Sequence, residues 1–87
     1  MNAKDKKVLT AYKITESSTD ETFRKGQIIW FSEDGCVNFA GKYAGFLSES
    51  QWNRKGSNDF EFEEAPEYRV ESRIFIGGVE EKIVQVG

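Results

Sequence analysis

This chain has no histidine among its 87 residues, and cysteine, proline and methionine occur once each. Without histidine, the commonest general base, the commonest neutral metal ligand and the usual physiological pH switch are all missing. Ser-His-Asp and Cys-His nucleophilic systems cannot be assembled from this chain alone. The single thiol, Cys36, forms neither an internal disulfide nor a Cys-rich zinc site. Small secreted domains normally carry covalent staples, so the expected compartment is reducing, most simply the cytoplasm. Glu33 and Asp34 beside Cys36 give no reason for a low thiol pKa. Cys36 therefore reads as a small buried or half-buried hydrophobe.

Long apolar stretches are absent too. The longest run, Ile28 to Phe31, is four residues, against the roughly 20 of a transmembrane helix. Near the N-terminus Val8-Leu9 is broken at once by Thr10, so the apolar stretch of a signal peptide is not seen and no membrane partner is expected. Gly77-Gly78 precedes no helix and is not a phosphate-binding loop. The carboxylates Glu61 and Glu63 fall on one outward strand face, where solvation accounts for them better than acid–base catalysis. No catalytic residue, cofactor or metal site is expected, and the chain reads as non-enzymatic.

What is present is charge and aromatic area. Charged residues make 31% of the chain, with a net charge of −3, and aromatics make 14%. The length fits one domain, with 1–7 as a disordered polar arm and 8–87 as a single β-rich unit. Lys4, Lys6 and Lys7 form a short basic cluster. Asp59, Glu61, Glu63, Glu64, Glu67 and Glu71 form an acidic run interrupted by Arg69.

Alternation in Val8 to Ile14 predicts a half-buried strand with Val8, Thr10, Tyr12 and Ile14 on one face. Residues 15–22 are polar, and Ser18 to Glu21 has capping-box spacing with no apolar run after it, so at most one helical turn forms. Gln27 to Ser32 and Cys36 to Ala40 read as a hairpin around Glu33-Asp34-Gly35. A two-residue loop sets Trp30 opposite Phe39. A three-residue loop with Gly35 left-handed pairs Ser32 with Cys36 and gathers Ile29, Phe31, Val37 and Phe39 on one face. The second register is preferred because all four side chains then enter one core. Ile28 and Trp30 fall on the opposite face and need a cover: the chain's own C-terminal hairpin, a second copy, or another partner.

Tyr43 to Leu47 gives a further short strand. Ser48 and Gln51 form a capping box flanked by Leu47 and Trp52 in hydrophobic-staple positions. Asp59 to Glu63 alternates strictly, Phe60 and Phe62 inward and carboxylates outward, and Pro66 ends the strand or marks an edge. Glu67 to Ile76 and Val79 to Val86 make a C-terminal hairpin turning at Gly77-Gly78, with a bulge expected near the turn to reconcile the apolar pattern. The expected fold is mainly β: a small, strongly bent antiparallel sheet or a partly open SH3-like barrel with one helical turn. The likeness to SH3-like barrels is of architecture alone, since Ala11-Tyr12 is followed by Lys13-Ile14 and lacks the acidic and aromatic residues of the peptide-binding family.

Two functional readings follow. The first is a small protein-binding module, such as an acidic inhibitor or accessory subunit of a larger enzyme, with Glu61, Glu63 and Glu64 facing a basic partner. The second is a single-stranded nucleic-acid binder, with Trp30 and Tyr43 stacking bases and Arg69 and Arg73 following phosphates. The net negative charge disfavours the second. The apolar second face of the Ile28–Phe31 strand makes a homodimer a further expectation.

Overall fold

The computed structural model describes residues 7–41, 44–54 and 56–87. The chain is mainly β. Strands β1 (Tyr12–Glu16), β2 (Ile28–Phe31), β3 (Val37–Phe39), β4 (Gly45–Leu47) and β5 (Glu61–Glu64) form one antiparallel sheet in the order β4-β3-β2-β1-β5. Among the described residues, strands β6 (Tyr68–Phe75) and β7 (Gly78–Gln85) pair only with each other. The one helix among the described residues, α1, spans Glu49–Trp52. Two antiparallel sheets and a short helix are compatible with an SH3-like barrel, and β4 and β5 are left as the two edges of the larger sheet. No helix among the described residues is long and apolar enough to cross a membrane.

The β2–β3 turn takes the three-residue form. Ser32 N–H donates to the Cys36 carbonyl at 2.9 Å, and Phe31 stands opposite Val37 and Ile29 opposite Phe39. Gly35 has φ +88°, the left-handed conformation this loop requires. A side chain there would also strike the Glu49 carboxylate, 2.5 Å from where a Cβ would sit. The Asp34 carboxylate closes the turn by accepting from Cys36 N–H at 3.0 Å.

Ile29, Phe31, Val37 and Phe39 are all buried, with Tyr12, Ile14, Phe23, Trp52, Phe60 and Phe62. Aromatic rings make the centre continuous. Phe60 stacks on Phe62 at 5.3 Å and on Phe23 at 3.9 Å between centroids. Tyr12 meets Phe62 edge-on at 4.8 Å, and Phe31 lies 5.7 Å from both Trp52 and Phe62. Large rings let a small domain bury enough area to fold.

The capping box forms as the spacing predicts. Ser48 N–H donates to Gln51 Oε1 at 2.8 Å, and Ser48 Oγ accepts from Gln51 N–H at 3.4 Å. The helix drops Trp52 into the core, and its indole N–H donates to the Gly35 carbonyl at 2.8 Å. Leu47, on the other side of the cap, packs against the same cluster.

Three expectations need correction. The first strand begins at Tyr12 and not at Val8. Leu9 adopts φ +61° and its N–H donates to the Phe31 carbonyl. That kink breaks the alternation, so Val8 makes one parallel bridge to Phe31 and remains 45% exposed. In the C-terminal hairpin Phe75 pairs with Gly78, so the two-residue loop is Ile76-Gly77 and not Gly77-Gly78. The register then runs unshifted from Tyr68↔Gln85 to Phe75↔Gly78, with no bulge. Trp30, on the opposite face as the three-residue turn predicts, is 6% exposed and meets the first of its expected covers, the C-terminal hairpin.

Of the predicted arm 1–7, residues 1–6 lie outside the described residues. Lys7 N–H donates to the Tyr12 hydroxyl at 2.7 Å. In 17–23 no helix forms. Ser18 Oγ instead accepts from Phe23 N–H at 3.1 Å, and this turn delivers Phe23 to the core. The Asp20 carboxylate accepts from Ser57 Oγ, Thr22 N–H and Ser18 Oγ, which hold it far below the usual carboxylate range.

Candidate functional site

Trp30, Asn38 and Phe46 lie side by side across the outer face of the larger sheet, set there by the registers Trp30↔Asn38 and Asn38↔Phe46. Trp30 is buried while Phe46 is 69% exposed. The difference is the β6–β7 hairpin, which covers Trp30 and leaves Phe46 open. Glu81 of β7 makes the joint. Its Oε1 accepts from Trp30 Nε1–H at 3.0 Å and from Ser32 Oγ–H at 2.6 Å. Asn38 Nδ2 donates to Ser32 Oγ at 2.8 Å and more weakly to the Trp30 carbonyl at 3.3 Å. Hydrogen-bonded polar groups of this kind are what make burial of an indole N–H tolerable.

Where the hairpin stands away from the sheet there is a cleft of about 500 Å³. Phe46 forms one wall, and Ser72, Ile74 and Val79 of the hairpin form another, with Ser32, Cys36 and Asn38 between them. Ile74 is 82% exposed and Val79 59%. Glu33, Asp34 and Glu81 also line the cleft, and no Lys or Arg among the described residues does. Glu81 Oε2 has no hydrogen-bond partner among the described residues, because both bonds fall on Oε1. Asp34 is held below the usual carboxylate range by the Cys36 N–H, so it stays charged into acid. The Cys36 thiol moves the other way, raised by burial first and then by Asp34, which keeps it protonated and poorly nucleophilic. A second cleft of about 420 Å³ opens on the other side of Phe46, where Arg24, Gln27, Phe39 and Leu47 contribute. No cluster of three or more His, Cys, Asp or Glu able to hold a metal occurs among the described residues.

The residues singled out in the sequence are dispersed. Trp30 is not on an open face and cannot stack a ligand while the hairpin covers it. Tyr43 lies outside the described residues. Arg69 pairs with Glu71 at 2.8 Å and Arg73 with Glu80 at 3.8 Å, on the hairpin's outward face. Glu61, Glu63 and Glu64 are exposed on edge strand β5. Of these, Glu64 pairs with Lys7 at 3.5 Å, Glu63 stands opposite Lys13 and Glu61 opposite Glu16. Asp59, at the head of the acidic run, is engaged internally. It accepts from Thr19 N–H at 2.9 Å and from the Thr19 hydroxyl, which lower its pKa.

The sequence reading missed Phe46, Glu81 and the Ile74–Val79 wall. Phe46 was detectable, since its parity opposite Leu47 in a short strand puts it on the face away from the core. Glu81 was not, because nothing local distinguishes it from Glu80. No protein-family model matches this chain, and no curated protein or solved structure matches it.

Proposed function

We propose that the chain is a non-enzymatic protein-binding module of the cytoplasm, an inhibitor or accessory subunit of a larger protein, that docks through the cleft between β4 and the hairpin. The partner presents an apolar side chain with a Lys or Arg beside it. The observation that carries this reading is the lining itself: exposed Phe46, Ile74 and Val79 alongside Glu33, Asp34 and Glu81, with no cation among the described residues that line it. Apolar anchors surrounded by charge of one sign give an interface both its energy and its choice of partner. The carboxylates of β5 lie outside the cleft and serve to steer a basic partner toward the chain.

The test compares capture from native lysate by the wild type and by two sets of variants. A protein bound by wild type, lost with Phe46→Ser and with Glu33→Lys/Asp34→Lys, and retained by Glu61→Gln, supports the cleft. A captured protein indifferent to the cleft variants overturns it. Binding to a single-stranded oligonucleotide that falls steeply with salt would instead favour the nucleic-acid reading.

A further inference from the structure

Among the described residues the β6–β7 hairpin is a sheet of two strands, so each strand has an unpaired edge. Alternation decides which β6 groups face that edge. Val86 N–H donates to the Glu67 carbonyl at 2.8 Å, which makes these two a hydrogen-bonded pair in line with the register Tyr68↔Gln85 to Phe75↔Gly78. Hydrogen-bonded and non-hydrogen-bonded pairs alternate along an antiparallel ladder. Arg69, Glu71, Arg73 and Phe75 therefore bond to β7, and Tyr68, Val70, Ser72 and Ile74 turn their backbone groups outward. Tyr68 N–H is taken by the Ala65 carbonyl, but Val70, Ser72 and Ile74 have no backbone partner outside the hairpin among the described residues. A long edge without proline or bulge is a template for another strand.

We infer that the second strand is β6 of another copy of this chain, paired antiparallel about a two-fold axis at Ser72 to make a four-stranded sheet. The β6 sequence is complementary to itself in this register. Glu71 faces Arg73 of the second copy, and Arg73 faces its Glu71. Val70 faces Ile74 on both sides of the axis, Tyr68 faces Ile76, and Arg69 faces Phe75. The pairing uses the outward-turned groups of Val70, Ser72 and Ile74 on both strands, as the ladder requires. It also gives partners to Ile74, Phe75 and Ile76, which are 82%, 48% and 103% exposed.

Neighbouring registers fail. Centring on Glu71 or on Arg73 sets that residue against itself, and like charges directly opposite repel. Centring on Val70 restores opposite charges but sets Pro66, which has no N–H, against Ile74 and leaves Phe75 and Ile76 uncovered. This interface uses the free backbone edge of β6, whereas the Trp30 joint is made by the Glu81 side chain of β7; Ser72 and Ile74 belong both to this edge and to the cleft wall.

Sedimentation equilibrium of the full chain over a wide concentration range tests the inference. Wild type dimerises with rising concentration. Glu71→Arg alone, or Arg73→Glu alone, makes both cross-axis pairs repulsive and weakens the dimer about tenfold or more. The double variant Glu71→Arg/Arg73→Glu restores opposite charges and returns the dissociation constant to within about threefold of wild type. Phe46→Ser leaves association unchanged. A chain monomeric at every concentration, a dimer indifferent to the single swaps, or a double variant that stays weak each overturns it.

Discussion

The body of the molecule and its C-terminal hairpin are built on opposite terms. The body's strands are short, three to five residues, and β1 carries an irregularity between Ile14 and Glu16. Yet every buried apolar side chain among the described residues lies between Ala11 and Ala65. The hairpin has the two longest strands and an unbroken ladder, and none of its residues is fully buried. Regular hydrogen bonding therefore marks the weaker part. Backbone hydrogen bonds exchange against water for little net gain, and an isolated two-stranded hairpin is marginal at best. Apolar burial holds the body. The hairpin depends on being docked, and Glu81 is the docking group.

The largest effect should come from the body. Trp52→Ala removes a buried indole and its bond to Gly35, and chemical denaturation should show a loss of about 3–5 kcal/mol. Because the hairpin has no core of its own, its amides should lose hydrogen-exchange protection together with those of the body. A hairpin that stays protected in this variant would break the comparison.

A smaller and more local effect is expected from Glu81→Ala. It leaves Trp30 Nε1–H and Ser32 Oγ without their acceptor, at a cost of about 1–3 kcal/mol. Exchange should rise across Tyr68–Gln85 while β1, β2 and β3 keep their protection. Uniform acceleration in both parts would mean that they unfold as one unit.

Acid should act on the body's loops. The Asp20 pKa is lowered from an ordinary 3.8, with the Ser57 hydroxyl as the main cause and the Thr22 N–H next. A depressed folded pKa stabilises above the unfolded value, and that contribution disappears as pH falls from about 3.8 toward the folded pKa. Asp59, lowered by Thr19, acts in the same sense. Thermal melts should lose stability more steeply below pH 3.8 in wild type than in Asp20→Asn, and equal slopes would contradict this origin.

The smallest effect concerns β5. Replacing Glu61, Glu63 and Glu64 together with Gln should change stability by less than about 0.5 kcal/mol, since exposed charges contribute little. Association with the captured partner should slow, with little change in dissociation. An unfolded triple variant would show that this edge is part of the fold's support.

What was legible in the sequence was local. The three-residue turn at Glu33-Asp34-Gly35, the Ser48–Gln51 capping box and the inward Phe60 and Phe62 each rest on residues within a few positions of one another. What was not legible was joined across distance. Phe23 sits in a polar stretch and reaches the core because Ser18 and Asp20 shape its loop, with Ser57 anchoring it from 37 residues away. The burial of Trp30 depends on Glu81, 51 residues on. Three covers for Trp30 fitted the sequence, and choosing between them required knowing where the hairpin lies. Leu9 departs from the alternation because its left-handed backbone serves a bond to Phe31 that no alternation pattern records.

The chain's two tryptophans stand at different joints, Trp30 where the hairpin meets the sheet and Trp52 where α1 meets the β2–β3 turn. This gives the molecule two separate optical channels. Undocking the hairpin carries Trp30 from a dry, carboxylate-bonded site into water and shifts its emission to longer wavelength, while Trp52 stays enclosed. With Trp52→Phe, fluorescence reports undocking of the hairpin as well as global unfolding; with Trp30→Phe, it follows the body. The opening rate of one part can then be timed against the unfolding rate of the other without any attached dye.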